Sequence, residues 1–466
     1  MPLNKMNGYE VISTSRSFRD LRHLSDDKTV LENPHKGWYY HLVDNSLKSP
    51  NYREGLEPKR FKTPCMSHMY LRFDWGDIEK DGEGIYDWSE IDRIMNEWGA
   101  LGYKFSLRIC TYEPVDANPL ATPKWVFDIG AGFTEVKEGE LVGYEPDYGD
   151  PIYLEKLDNF LTKCAEKFDN DPRVIYVDIG TLGTWGEGHT YRGSGKLFSS
   201  DIFFTHVKLH LKNFKNKRLV LNDDYIEIAS RSSFDEASRL YDFAISKGLM
   251  LRDDSICVAG YVRSFGYDSL RRPTIFADFA KYAPIDIELE HLRDTTPDRF
   301  RGGLTVIEAL HTAHATYAGF HGYEDKWLER AEYLNDYLAN RLGYWFFIDG
   351  VDIGYPMSGT AETAKVRISN RGYAKCYNQY DLKLRARSSD GKLYPLNCKY
   401  PDSTRWEREC VSVECLKLDF FGVPAGEYTL DIGLFFGETP IKLGIKENLK
   451  TEDGYYGVFN FSVKEL

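Results

Sequence analysis

Eight short apolar segments alternate with longer amphipathic segments over roughly 300 residues, and this alternation limits the folds that the chain can adopt. Each short segment has the length of a β-strand, and several of the longer ones carry apolar residues at helical spacing. Alternating strands and helices predict a parallel sheet, and eight such repeats are what a closed (β/α)8 barrel contains. The predicted strands are KGWYYHLV (36–43), MSHMYLRF (66–73), YKFSLRIC (103–110), RVIYVDIG (173–180), RLVLNDDY (218–225), SKGLMLRDD (246–254), PIDIELEH (284–291) and TYAGFHGY (316–323).

The intervening segments begin and end like helices. DWSEIDRIMNEWGALG has an acidic first turn with Ser89 at the cap position, and it ends at Gly102. IYLEKLDNFLTKCAEKF has helical spacing, and Pro172 precedes the next strand. A doubly wound open sheet would show the same alternation, but it would normally carry a glycine-rich phosphate turn after its first strand, and KGWYYHLVDN has none. We therefore predict an α/β fold of the TIM-barrel type.

The sequence pattern changes near residue 340. From GYWFFIDGVDI onward the apolar segments are short, alternate with polar residues and are separated by Asp-Gly and Asn-Arg-Gly turns. Strands spaced in this way predict an antiparallel β-sandwich. We expect two domains: a barrel with an N-terminal extension over residues 1–340, and a β-sandwich over residues 341–466.

The net charge of -13 argues against two classes of partner. A strongly acidic chain repels nucleic acid, and no basic cluster offsets its field. It also repels an anionic membrane surface, and no segment approaches the ~20 apolar residues of a membrane span. The N-terminal sequence MPLNKMNGYEVISTSRSF lacks the apolar region of a signal peptide. We expect a soluble protein that is cytoplasmic, or periplasmic or secreted if an export signal has been removed.

The segment GTLGTWGEGHTYRG follows the fourth predicted strand. In a parallel barrel the reactive side chains lie at the C-terminal ends of the strands and in the loops that follow them. The glycines of this segment allow sharp turns, which can bring Glu187 to the barrel mouth beside Trp185 and His189. A flexible connection with a solvated glutamate is the simpler alternative, but one acid among Trp and His side chains favours a functional site.

The seventh predicted strand, PIDIELEHLRD, alternates acidic and apolar residues. Asp286, Glu288 and Glu290 recur at every second position, with isoleucine or leucine between them. One face of a barrel strand packs on the helices and the other points inward. Because the apolar face must pack on the helices, the acids should point into the barrel. Inward carboxylates are costly unless they are paired, protonated or functional, so this strand is the strongest physical anomaly in the sequence.

Other predicted strand ends carry side chains that could surround these carboxylates. An inward arginine would keep one carboxylate ionised, whereas an apolar wall would raise the pKa of another. Each residue alone is more often structural than functional, and their shared position at strand ends makes them candidates. The candidate substrate-binding residues are Trp38, His41, Arg72, Trp75, Arg108, Trp185, His189, Asn222, Arg252, His291 and His321.

Two carboxylates on strands four and seven fit glycoside hydrolysis. One protonates the leaving oxygen, and the other acts as the nucleophile at a separation of about 5 Å or as a base for water at about 6.5–9.5 Å. A zinc hydrolase would need a motif such as HEXXH, and the acidic pair Asp223–Asp224 has no histidine nearby in the sequence. A serine hydrolase would need a G-x-S-x-G elbow, which is absent. We therefore predict neither a metal nor a cofactor.

The opening NPHKGWYY, the stretch IEKDGEGIYDWSEIDRIMNEWGALGYKFSLRI and the WGEGH loop are similar to a set of barrel-plus-sandwich proteins placed near the clan-A glycoside hydrolases. The resemblance spans residues 31 to 440. In that clan the acid/base follows strand four and the nucleophile ends strand seven. The resemblance therefore implies that Glu187 is the acid/base, that Glu288 or Glu290 is the nucleophile, and that the substrate is an oligosaccharide or polysaccharide.

One position departs from that clan. Most of its members carry asparagine immediately before the acid/base, where it binds the 2-hydroxyl group of the sugar, and this chain has Gly186 there. Asn222 or His189 could replace that contact. We predict a retaining glycosidase. The alternative is a non-catalytic carbohydrate-binding barrel, and the two differ in whether Glu187 and the strand-seven glutamate can reach one sugar ring.

Overall fold

The computed structural model describes residues 17–43, 47, 57–232, 234–256, 273–290, 296–320 and 324–466. The chain divides into two compact units, one of residues 37–332 and one that combines residues 1–36 with residues 333–466. Among the helices of the described residues, none has both the length and the apolar character that crossing a bilayer requires.

Residues 37–332 contain a closed barrel of eight parallel strands, which confirms the predicted fold class. Each strand pairs in parallel with the next along the chain, and the last pairs with the first. The barrel strands are β1 (Gly37–Val43), β2 (Met66–Asp74), β3 (Lys104–Cys110), β4 (Val174–Asp178), β5 (Arg218–Asn222), β6 (Met250–Ile256), β7 (Ile285–Leu289) and β8 (Tyr317–Phe320).

Helices connect the barrel strands, and their ends follow from local sequence. In the helix Pro151–Phe168, Asp150 accepts hydrogen bonds from the backbone amides of Ile152 and Tyr153, and proline occupies the first helical position. The longer helices are Ser89–Gly99, Pro151–Phe168, Ser200–Asn213, Asp223–Ser232, Phe234–Ser246, Leu304–Thr312 and Glu324–Ala331, and the shorter ones are Trp75–Ile78, Lys124–Asp128, Pro273–Phe279 and Pro297–Phe300.

A two-stranded antiparallel hairpin lies between β3 and β4. Its strands are Phe133–Glu138 and Leu141–Pro146. Because β3 ends before it, the hairpin belongs to the connections on the C-terminal side of the barrel, where the loops of such barrels form binding sites. Its Glu145 side chain is buried and accepts a hydrogen bond from the backbone amide of Ser194, in the loop that follows β4.

The barrel interior is unusually polar. Tyr70 of β2 donates a hydrogen bond to Asp178 of β4, and Tyr176 of β4 donates one to Asp286 of β7. These bonds cross the barrel, so the side chains at every second position of these strands point inward. The prediction that the acids of the seventh strand face the interior therefore fits Asp286.

Residues 333–466 form antiparallel sheets that contribute to a single hydrophobic core, as expected of a β-sandwich. Its first helix is Asn335–Arg341. The first sheet contains the strands Phe18–Asp20, Phe346–Asp352, Ala361–Asn370 and Cys410–Asp419, and the second contains Leu393–Pro395, Asp381–Ser388, Gly426–Phe436, Thr439–Ile441 and Tyr456–Val463.

The described residues of the N-terminal extension, from residue 17 onward, belong to the sandwich unit. Its strand Phe18–Asp20 pairs in antiparallel register with Phe346–Asp352, and the backbone amide of Leu31 donates a hydrogen bond to the side chain of Asn340. The sequence-based expectation placed this extension with the barrel. The backbone pairing of a short edge strand leaves little signal in the sequence, and it explains the difference.

Candidate active site

Arg108 of β3 connects three carboxyl groups at the C-terminal end of the barrel. Its Nε donates a hydrogen bond to Oδ2 of Asp178 over 2.8 Å. Its Nη1 lies 3.6 Å from Oε1 of Glu187 and 3.4 Å from Oδ2 of Asp254. The Arg108 side chain is only 1% exposed, so these interactions occur where water screens charge poorly.

Arg252 of β6 forms the second cationic centre, and it is fully buried. Its Nε donates to Oδ1 of Asp254 over 2.5 Å, and its Nη1 donates to Oδ2 of Asp286 over 2.9 Å. Its Nη2 donates to Oε2 of Glu288. Asp254 thus accepts from Arg252 and faces Arg108, so both arginines share it, as they share Asp178, whose Oδ2 lies 3.7 Å from Nε of Arg252.

A layer of aromatic and imidazole groups lies beneath these charges. The Tyr39 hydroxyl accepts a hydrogen bond from Arg252 over 2.9 Å, and Nε2 of His68 lies 3.0 Å from the Tyr176 hydroxyl. Burial lowers the pKa of His68 to about 3, so this imidazole is neutral and adds no positive charge. The layer therefore supplies hydrogen bonds to the cluster, whereas the two arginines supply its positive charge.

The cluster contains more acids than bases. Burying this excess of negative charge is unfavourable, so some of the acids must hold protons. Burial raises the pKa of Asp286 to about 6, although Arg252 lowers it. The carboxyl groups are Asp178, Glu187, Asp254, Asp286 and Glu288, and the guanidinium groups are Arg108 and Arg252.

Glu187 and Asp254 form a hydrogen-bonded pair with opposite shifts. Burial, followed by the negative charge of Asp254, raises the pKa of Glu187 well above its ordinary value and outweighs Arg108. For Asp254, burial acts in the same direction, but Arg252 and Arg108 together lower its pKa. The proton of the pair therefore resides on Glu187, which donates to an ionised Asp254.

The loop that carries Glu187 has little room for side chains. Gly186 has a φ of +77°, and a Cβ built there would lie 2.4 Å from the backbone oxygen of Gly180. The resemblance noted from the sequence implies that clan-A enzymes carry asparagine at this position. The backbone of this loop therefore admits only glycine there, which gives a steric reason for the departure that the sequence reveals.

Trp185 anchors the loop to β3. It adopts a left-handed conformation with φ 57° and ψ 9°, which is uncommon for a bulky residue. Its carbonyl oxygen accepts hydrogen bonds from Nη1 of Arg108 and from Sγ of Cys110, each over 3.2 Å. These two bonds from neighbouring positions of β3 hold the strained residue next to Glu187.

The imidazole ring of His189 links the Glu187 carboxyl group to two aromatic rings. Nε2 of His189 lies 3.1 Å from Oε2 of Glu187. The Trp185 ring meets His189 edge to face at 5.8 Å, and the Tyr191 ring stacks on His189 at 4.6 Å. The Tyr191 side chain is 62% exposed, so this stack reaches from the buried acid to the solvent.

Six of the predicted substrate-binding residues and two of the predicted catalytic residues lie together in this site. Nε2 of His41 is 3.3 Å from Oε2 of Glu288, and Nδ2 of Asn222 donates to Oδ2 of Asp254 over 2.6 Å. Glu290 lies one residue beyond the end of β7 and is half-buried. His291 and His321 lie outside the described residues. The assembled residues are His41, Arg108, Trp185, Glu187, His189, Asn222, Arg252 and Glu288.

Trp38 and Trp75 are not part of this cluster. The Trp38 ring packs on Trp327 at 4.9 Å, because position 38 has the opposite strand parity to the inward-facing Tyr39. Trp75 begins the short helix after β2 and stacks on Phe160 at 5.4 Å. Both side chains are fully buried against helices and offer no surface to a ligand.

Arg72 lies in a second acidic group at the ends of β2 and β3. Its Nε is 3.6 Å from Oε1 of Glu113. Burial, followed by the charges of Glu113 and Asp77, raises the pKa of Asp74 well above its ordinary value. Asp74 also accepts a hydrogen bond from Asn118 over 2.7 Å. Arg72 therefore pairs with Glu113 in this second group and is not one of the residues assembled around Glu187.

Among the described residues, two groups of side chains have the composition to hold a cation. Ligand atoms of Asp74, Cys110 and Glu113 lie within 4.8 Å of one another, and so do those of Glu187, His189 and Asp224. The acidic pair Asp223–Asp224 has no histidine nearby in the sequence, but Asp224 has one beside it in space. The loop after β4 brings His189 to Asp224, although the two are distant in sequence.

Asp178 and Asp254 are site residues that the sequence reasoning missed. Each is the inward acid near the end of its strand, two positions after another inward residue: Tyr176 in β4 and Arg252 in β6. The period-two pattern that identified the acids of β7 was therefore present in these strands as well. It was harder to recognise because each strand carries a single inward acid.

No protein-family model matches the sequence, and no curated protein matches it. Among solved structures, the chain is similar to the catalytic domain of a β-amylase from Paenibacillus polymyxa, with 11% identity, a TM-score of 0.43, and coverage of 65% of this chain and 99% of that chain. It is similar to Thermotoga maritima Cel5A, a mutant form in complex with cellobiose, with 12% identity, a TM-score of 0.36 and coverage of 66% and 96%. It is also similar to β-galactosidase from the psychrophilic Marinomonas ef1, with 14% identity, a TM-score of 0.38 and coverage of 62% and 54%. At these identities and TM-scores the comparisons identify no function.

Proposed function

We propose that this protein is a glycoside hydrolase that cleaves O-glycosidic bonds of an oligosaccharide or polysaccharide by a retaining, two-carboxylate mechanism without a cofactor. Glu187 is the acid/base and Glu288 is the nucleophile. The contrast between these two carboxyl groups at the mouth of the barrel carries the proposal. Burial raises the pKa of Glu187 well above its ordinary value, whereas Glu288 accepts a hydrogen bond from the buried guanidinium of Arg252.

The chemistry follows from these two protonation states. Protonated Glu187 delivers its proton to the leaving oxygen as the bond from that oxygen to the anomeric carbon breaks. The ionised carboxylate of Glu288 attacks the same carbon from the opposite face and forms a covalent bond to it. Water then attacks the anomeric carbon, the Glu187 carboxylate accepts a proton from that water, and the bond to Glu288 breaks. Two inversions retain the anomeric configuration.

We assign the nucleophile to Glu288 rather than Glu290 on the basis of their surroundings. Glu288 is 5% exposed and lies beside both Arg252 and His41. A guanidinium group keeps a buried carboxylate ionised, as a nucleophile must be. Glu290 follows the last residue of β7 and is half-buried, so its side chain is more exposed to water than that of Glu288.

Hydrolysis of p-nitrophenyl glycosides and of plant and algal oligosaccharides by the purified protein tests this proposal. We expect Glu187→Gln to lower kcat/KM by about 10²–10⁴-fold on substrates with poor leaving groups, because general acid catalysis contributes that much. Glu288→Gln should abolish formation of the covalent intermediate and lower turnover by a similar or larger factor. Glu290→Gln distinguishes the two strand-seven glutamates, since a larger loss there would transfer the nucleophile role to Glu290.

The stereochemistry of the product and measurements of carbohydrate binding can each contradict the proposed mechanism. Proton NMR of the first product formed should show the anomer of the substrate, and the opposite anomer would contradict a retaining mechanism. Full activity in Glu187→Gln or Glu288→Gln would remove that residue from the mechanism. Oligosaccharide binding detected by calorimetry, without turnover of any substrate by the unaltered protein, would favour a non-catalytic carbohydrate-binding barrel instead.

A further inference from the structure

Asp254 is held more firmly than a passive neighbour of the active site would need to be. Nε of Arg252 donates to its Oδ1 over 2.5 Å, and Nδ2 of Asn222 donates to its Oδ2 over 2.6 Å. Nη1 of Arg108 lies 3.4 Å from the same Oδ2. Donors from three barrel strands, β3, β5 and β6, therefore fix both oxygens of a carboxylate that is only 10% exposed.

The contact with Glu187 argues against one role for Asp254. Nη1 of Arg108 lies 3.6 Å from Oε1 of Glu187 and 3.4 Å from Oδ2 of Asp254, and the two carboxyl groups interact directly, whereas a retaining pair is separated by about 5 Å around the reacting carbon. A sugar ring does not fit between carboxyl groups in direct contact. Asp254 is therefore not the partner of Glu187 in the displacement, and its fixed carboxylate must act through Glu187.

We propose that Asp254 is a positioning residue whose ionised carboxylate accepts the hydrogen bond of the Glu187 carboxyl group and so retains and aims the proton that Glu187 delivers. This inference rests on the proposed function. The geometry supplies both parts of the role: Arg252, Asn222 and Arg108 keep Asp254 ionised and immobile, and Asp254 in turn orients Glu187.

The charged groups around Glu187 determine how its proton responds to Asp254. Arg108 faces it from β3, His189 lies on its own loop, and Asp224 lies on the helix that follows β5. Without Asp254, burial and Asp224 would still raise the pKa of Glu187, but the negative charge and the hydrogen-bond acceptor of Asp254 would no longer add to them against Arg108. Both losses lower the pKa of Glu187, so a neutral residue at position 254 makes the acid lose its proton at lower pH.

Asp254→Asn tests the inference with two readouts. The first is the pH profile of kcat/KM, whose basic limb reports loss of the proton from the general acid. We expect that limb to move to lower pH by about one unit or more, the effect of removing a neighbouring like charge.

The second readout needs no turnover. Infrared difference spectra during a pH titration follow the C=O band of the protonated carboxyl group, and Glu187→Gln identifies this band because the variant lacks it. That band should titrate at lower pH by the same amount.

Matched variants separate charge from structure. Asp286→Asn removes another buried carboxylate that pairs with Arg252 but has no contact with Glu187 among the described residues, so it should leave the Glu187 band in place. Asp254→Glu keeps the charge and moves it, so kcat should fall while the basic limb stays near its original pH. Asp254→Ser is a second neutral variant if the amide at position 254 impairs folding, which circular dichroism reports.

The outcomes distinguish this inference from the proposed function. A Glu187 band that titrates at the same pH in the unaltered protein and in both neutral variants overturns the inference, whether or not the enzyme is active. A shift of equal size in Asp286→Asn also overturns it, because the effect would then be one of total charge. A shifted band in a protein that hydrolyses no glycoside would leave the Asp254–Glu187 coupling in place and reject the proposed function.

Discussion

At the scale of single residues, the barrel interior is organised around Arg252. Its guanidinium group is fully buried and lies within ion-pair distance of four carboxyl groups, those of Asp178, Asp254, Asp286 and Glu288. The planar, delocalised charge of arginine suits several acceptors at once. Removing one partner of a buried ion pair leaves uncompensated charge in a poorly screened interior, which is why such a substitution is costly.

We expect Arg252→Met to lower the free energy of unfolding by about 3–5 kcal/mol, because methionine fills much of the volume but supplies no charge. Arg93→Met is the matched control. Arg93 pairs with Glu90 and Glu97, but its side chain is 53% exposed, and exposed pairs contribute only about 0–1 kcal/mol. Urea denaturation followed by circular dichroism measures both variants. Equal losses in the two would show that the buried charges are not held by Arg252.

At the residue level, the sequence predicted an inward acidic face where one strand repeated the signal. Asp286 and Glu288 recur at period two among apolar residues, a pattern that is usual in a half-buried strand but anomalous in a parallel barrel strand, which is buried on both faces. Asp254 gave a weaker signal, because a single inward acid near a strand end resembles the polar start of a loop. Its importance appears only when barrel closure brings β3, β5 and β6 around it.

At the scale of structural elements, the loop after β4 sets the position of Glu187. Gly186 precedes Glu187 and lies against the backbone of Gly180, with φ at +77°. Gly195, further along the same loop, also has a positive φ of +69°, but a Cβ there would meet no atom within 4 Å. The two positions therefore share the conformational penalty for a side chain and differ only in the steric one.

We expect Gly186→Ala to lower kcat/KM by about 100-fold, because relief of the clash must displace the catalytic loop, and a misplacement of about 1 Å has that effect. Gly195→Ala, with the same strain and open space, should retain activity within a few-fold. Kinetics on the substrate that the unaltered protein hydrolyses best measures both. A comparable loss in the two variants would mean that loop strain, rather than contact with Gly180, fixes the position of Glu187.

The elements themselves were predictable from sequence, apart from details that local chemistry decides. The sixth predicted strand began at residue 246, but the helix Phe234–Ser246 extends to that residue and β6 begins at Met250. Gly248, with φ at +65°, forms the turn between them. The hairpin of Phe133–Glu138 and Leu141–Pro146 was missed, although GFTEVKEGELVGYEP has strand alternation around a Glu-Gly turn. It is an insertion that the repeating barrel pattern does not require.

At the scale of the whole molecule, acidity extends from the surface into the barrel core. The chain has a net charge of -13, and buried acids outnumber buried arginines in the Glu187 cluster. Folding must therefore leave some of these acids protonated at a pH at which the unfolded chain would ionise them. The sequence reveals the excess of acidic residues. Only the closed barrel shows which carboxyl groups are protonated, because the burial of each group and its contacts with arginine determine its pKa.

The burial of Asp286 should make the free energy of unfolding depend on pH. Burial raises its pKa from 3.8 to about 6 in the folded protein, so between those values the folded state keeps a proton that the unfolded state has lost. The contribution of Asp286 to the free energy of unfolding is then largest below pH 4 and declines as the pH rises through 6.

Asp286→Asn is neutral at every pH and cannot show this decline. We expect the free energy of unfolding of the unaltered protein, minus that of Asp286→Asn, to fall by about 1–3 kcal/mol from pH 4 to pH 7. Urea denaturation of both proteins at unit intervals of pH measures the difference, in which the titration of every other group cancels to first order. A difference that rises with pH would mean that Arg252 and Tyr176 stabilise the ionised form of Asp286 more than burial opposes it.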